Sequence, residues 1–135
     1  MQFLQQNDLL NAIDSATLNI VTDGNNALLD SAELQAIEYM KAYLNVRYDT
    51  DKVFDATLPR NASIVLYLTD IMLYYLHARI SPDNIPELRT ERYREAKDWC
   101  EKVADGFIAP NLPVKDVVNS TPLRYGSQPK QSNFF

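Results

Sequence analysis

The chain has 135 residues, 46% of them apolar and 23% charged, which suits one globular domain with a real core. Its net charge is −5, and the last 26 residues hold three basic side chains and one acidic one, so residues 1–109 carry −7. That balance excludes broad binding to a phosphate backbone, which needs clustered Lys and Arg. A single cysteine, Cys100, excludes an intrachain disulfide, and no apolar run reaches the ~18 residues of a membrane-crossing helix.

In chain order, the N-terminal MQFLQQNDLL lacks the basic and long apolar regions of a secretion signal. Asn7–Ala16 reads as a first short helix with Leu9, Leu10 and Ile13 as its apolar strip. Leu18–Val21 contains β-branched residues and is expected to pair as a short strand before the Asp23-Gly24 turn. A second helix is predicted from Asp30 or Ser31 to Tyr48, with Glu33 in its first turn and Leu34, Ile37, Met40, Tyr43, Leu44 and Tyr48 recurring at helical spacing. Asp49–Pro59 reads as an acidic loop. Asn61 then caps a third helix over Ala62–Arg79. Its core residues Ile64, Val65, Leu68, Ile71, Met72, Tyr75 and Leu76, with Leu66 and Leu73 beside them, make it apolar on most sides. Such a helix is central in its bundle or is covered by partner subunits. Ser81-Pro82 and Ile85-Pro86 break the chain, and a last helix follows over Glu87–Asp105. Its apolar side is Leu88, Tyr93, Ala96, Cys100, Val103 and Ala104, and Gly106 stands where a left-handed cap is expected. The expected fold is all-α: a bundle of about four helices over residues 1–109.

Residues 110–135 differ in kind. They hold four of the seven prolines, so no long helix runs through them. Leu112, Val114, Val117, Val118, Leu123, Arg124, Tyr125, Phe134 and Phe135 are spaced along them as partner-binding anchors. The segment reads as an extended arm, and 26 extended residues span at most roughly 85–95 Å.

The pattern offers little chemistry. One His and one Cys cannot build a metal site, and there is no phosphate-binding glycine loop or nucleophile motif. Asp49, Asp51 and Asp55 are spaced like part of a calcium loop but lack its central glycine and terminal glutamate. They read as a solvated, inter-subunit or channel-facing acidic loop. Neither an enzyme nor a cofactor-binding protein is expected. Tyr67 and Tyr74 lie seven positions apart on one face and read either as core or as subunit contacts. Arg47 is placed at the end of its own helix, with Asp70 as one acidic residue it can meet.

The order of these pieces resembles a known group. AIEYMKAYLNVRY (Ala36–Tyr48) precedes an acidic loop, then IVLYLTDIMLYYLHAR (Ile64–Arg79), then ERYREAKDWCEKVADGFI (Glu91–Ile108). Together they resemble the head–tail connector proteins of tailed phages, especially the Mu-like prophage group. This chain lacks that group's proline soon after the Arg-Tyr pair, and its tail is longer. The resemblance implies a helical adaptor without a catalytic site, closed into a ring of about twelve copies under the portal. Such a ring extends the channel for double-stranded DNA without sequence-specific contacts. It also gives the neighbouring neck or tail proteins a landing surface, with a C-terminal segment reaching along the portal. In that setting Arg47 and Tyr48, with Tyr67 and Tyr74, are expected at subunit interfaces. The alternative is a soluble regulatory or antitoxin-like helical protein whose tail binds one partner. The apolar excess of Ile64–Leu76 is expected to favour the ring, since a lone bundle would struggle to hide it.

Overall fold

The computed structural model describes residues 1–116. They form an all-α fold of six helices: α1 (Gln6–Leu10), α2 (Ser15–Thr22), α3 (Asn26–Leu44), α4 (Thr50–Val53), α5 (Ala62–Ile80) and α6 (Glu87–Asp105). Three of these, α3, α5 and α6, have 19 residues each and are therefore about 29 Å long. Among the described residues no helix is long and apolar enough to cross a membrane.

The centre of the bundle is α5. Ile64, Leu68, Ile71, Met72, Leu73 and Leu76 are all essentially inaccessible, and every residue from Leu68 to Leu73 is buried. A helix buried on all sides over its middle turns needs cover all round there, which α3 and α6 give along its length and α1 and α2 complete. Tyr67 stacks on Trp99 and Tyr74 on Tyr93, so α5 and α6 run antiparallel. Tyr39 meets Tyr93 and Arg47 meets Ala104, so α3 and α6 point the same way.

The expected short strand is absent: Leu18–Val21 lies inside α2. Asp14 caps that helix by accepting from the Thr17 amide, and the Thr22 hydroxyl donates to the Leu18 carbonyl at 2.8 Å. Burial of Leu18 and Val21, three apart, decides for helix over β propensity. The first expected helix stops at Leu10, six residues early. The second begins at Asn26 rather than at Asp30 or Ser31, because Asn25 accepts from the Ala27 amide. It ends at Leu44, before Tyr48. The acidic loop contains the short α4, so six helices stand where about four were expected. Leu34 and Leu88, read as core, are about half exposed.

Glu33 is not in a first turn. It lies inside α3, 1% exposed, and its carboxylate accepts from the backbone amides of Gln2, Phe3 and Leu4 at 2.7, 3.1 and 2.7 Å. This straps the segment before α1 onto the bundle and buries Phe3 and Leu4.

Candidate interaction surface

The start of the arm is built into the body. Leu112 is 8% exposed and belongs to the core. Tyr48 and Val114 form an antiparallel bridge; the Asp49 amide donates to the Pro113 carbonyl at 2.9 Å and the Lys115 amide to the Arg47 carbonyl at 3.3 Å. The Asn61 side chain donates to the Asn111 carbonyl at 3.2 Å. The chain after Pro110 therefore lies across the ends of α3 and α5 before it leaves.

Arg47 sits at the same end. Its Nε is 3.4 Å from the Ala104 carbonyl, in the last turn of α6, where orphan carbonyls favour a cation. Gly106 makes room for it: φ is +86°, and a Cβ there would stand 2.8 Å from the guanidinium. Arg47 thus caps another helix rather than its own, and it does not meet Asp70. Val46, Phe107 and Val114, each next in sequence to a residue of this root or within it, are 60, 82 and 66% exposed.

The other predicted residues fall as follows. Tyr48 is buried, so its side chain holds the arm root from inside. Tyr67 and Tyr74 are half-buried, each with a ring face against α6: 4.8 Å to Trp99 and 4.1 Å to Tyr93 between centroids. Asp49 caps α4 through the Lys52 amide. Asp51, fully in solvent, lies 3.6 Å from Lys41, and Asp55 accepts from Thr57. The three carboxylates thus serve separate local partners. Among the described residues no three metal-ligating side chains converge. Burial pushes the Cys100 thiol up to about 12, as for an inert core thiol. Val117, Val118, Leu123, Arg124, Tyr125, Phe134 and Phe135 lie outside the described residues.

A second feature has no counterpart in the sequence reading. A cleft of about 320 Å³ runs along α5, walled by α1 and the turn after it on one side and by the start of α6 on the other. Thr69 and Arg89, 3 and 6% exposed, line its floor, yet Thr69 Oγ1 and Arg89 Nη1 have no hydrogen-bond partner. Arg89 Nη2 donates to the Ala12 carbonyl at 3.3 Å. Its Nη1 stands 3.9 Å from Asp70 Oδ1, too far for a hydrogen bond. Burial pushes the Asp70 carboxyl up, against the pull of Arg92 and Arg89, and lowers Arg89. Each is driven towards its neutral form, so the pair is incompletely compensated. Helical periodicity marks the apolar faces of α5 and α6 but not a polar pair set within them, so only the buried Asp70 and Arg89 at their odd positions could have flagged the cleft.

The sequence profile of the family described as "Bacteriophage Mu, Gp36" matches residues 3–124. No curated protein and no solved structure matches the chain.

Proposed function

Since the chain belongs to the bacteriophage Mu Gp36 family, we propose that it is a structural virion protein: the connector at the head–tail junction that forms a ring below the portal. In this reading the helical body makes the wall of the ring and continues the DNA channel. The arm joins it to the portal and to the adjacent neck or tail proteins, and no catalytic step is involved. A ring of about twelve copies presents its arms together, so weak single contacts combine into high avidity. The net charge of −7 on residues 1–109 keeps DNA from adhering to the wall as it passes.

The observation that carries the reading is the arm root. A bundle with a closed core anchors the start of a proline-rich arm and surrounds its exit with exposed Val46, Phe107 and Val114. Exposed apolar side chains beside a tethered arm are what an assembling subunit needs.

The closed core also suits the alternative, a regulatory protein that binds one partner. Most of the apolar side chains of Ile64–Leu76 are hidden within a single chain, with Leu66 left about half exposed, so little of its apolar excess calls for a ring. A phage genome encoding the chain stopped after Asp116 separates the two. The connector reading expects filled heads and free tails that fail to join, seen by electron microscopy. Complete, infectious particles would reject it.

A further inference from the structure

Two buried donors without a partner, Thr69 Oγ1 and Arg89 Nη1, belong to residues that line the cleft along α5. A buried donor left unsatisfied costs stability, so the pair asks for an acceptor from outside the fold. The charges around it balance. Arg60 pairs with Asp8 at 2.6 Å, and Asp70 faces Arg89 at 3.9 Å. Arg92 and Glu95, three apart on α6, act on the Asp70 carboxyl with opposite sign. Three cations thus stand against three carboxylates, so a charged ligand gains little from the cleft. A neutral acceptor satisfies both donors without disturbing that balance. Asp8, on the wall of the same cleft, offers carboxylate oxygens to a donor. The group that accepts on one side and donates on the other is a carboxamide.

We propose that the cleft receives the side-chain carboxamide of a glutamine or asparagine on a partner protein. Its carbonyl oxygen accepts from Arg89 Nη1 and Thr69 Oγ1, its nitrogen donates to Asp8, and its aliphatic stem lies against Val65. Leu66 and Leu88 flank the opening, about half exposed, and take apolar residues on either side of the amide.

The rim points to a protein as the source. A small metabolite leaves both leucines in water, whereas a longer chain covers them. Ala62 lines this cleft and also the neighbouring one formed with Asn111, Leu112 and Pro113, so the opening adjoins the arm root. A protein engaged by the arm is thereby delivered to the cleft. The source rests on the arm being partner-binding, while the amide chemistry stands on the cleft alone.

The probe is the peptide acetyl-Leu-Gln-Leu-amide, titrated into isotope-labelled full-length protein and followed by NMR. Saturable shifts are expected at the Leu66, Thr69 and Leu88 amides and at the Arg89 side chain. Binding should weaken about tenfold when glutamate or norleucine replaces the glutamine. No saturable shift, or equal affinity for the three peptides, overturns the proposal. Propionamide binding as tightly as the peptide would assign the cleft to a small metabolite, and would also overturn it. Thr69→Val keeps the shape of the side chain and removes the hydroxyl. It should weaken the glutamine peptide about tenfold yet raise the urea midpoint of unfolding, because no internal hydrogen bond is lost. A lowered midpoint would show the hydroxyl already satisfied by buried water and would sink the proposal. These measurements need only purified protein, so their failure leaves the connector reading standing. Infectious particles from the truncated phage would reject that reading and leave the amide chemistry intact.

Discussion

Gly106 and Arg47 show how one small residue fixes a joint. The glycine adopts φ +86° to end α6, and its missing side chain admits the guanidinium that caps Ala104. Gly106→Ala forces both a left-handed alanine and a shift of Arg47, and should cost about 1–2 kcal/mol in urea unfolding. His77 gives the fold a pH dependence at the same scale. Burial, and then the nearby Arg89 charge, hold its imidazole below the usual range. A lowered pKa means that the unfolded chain binds the proton more readily. The contribution of His77 is therefore present above its unfolded pKa of about 6.5 and is lost as pH falls through and below that value. His77→Gln should flatten the stability profile between pH 7 and 5; an unchanged slope would place the dependence elsewhere. At this scale the sequence was legible in part. The glycine cap followed from its position after the last helical residue, whereas the partner of Arg47 did not, since 57 residues separate it from Ala104.

Among the elements, caps and burial explain where reading and fold part. Asn61, Asp49 and Asn25 each accept from an amide in the first turn of their helix, and α5 begins where its asparagine predicts. Asp30 and Ser31 have the chemistry of caps but lie on the solvent side of α3, with the real cap five residues before Asp30. A polar residue at a helix start and one on a solvent face are equally exposed, as Asn25, Asp30 and Ser31 are, and only the amide that Asn25 accepts from tells them apart. Glu33 is the sharper case. As a carboxylate in an apparent first turn it reads as surface, but three strapped amides make it a buried acceptor. Glu33→Gln keeps the shape and removes the charge and one acceptor, and should cost about 2–3 kcal/mol. Hydrogen exchange at Phe3 and Leu4 should rise with it; protection unchanged at those amides would show that the strap is held by packing alone.

Over the whole molecule, the body extends past Pro110, because Leu112 and the Tyr48–Val114 bridge belong to it. A chain stopped after Ala109 loses that buried leucine and should be less stable by about 1.5–3 kcal/mol. A chain stopped after Asp116 should unfold at the same denaturant concentration as the full chain. Equal stability of all three would detach the arm root from the core.

By itself, the sequence determined the all-α class, the three long helices and the central place of α5. These follow from local spacing, caps and proline, which act over a few residues. Only the tertiary structure decided that Leu18–Val21 is helical, that one chain covers α5, and that the arm starts inside the core. It alone brought Thr69, Arg89 and Arg92 to one cleft. Those outcomes depend on contacts between residues tens of positions apart, where the free energy of burying a side chain outweighs its local preference.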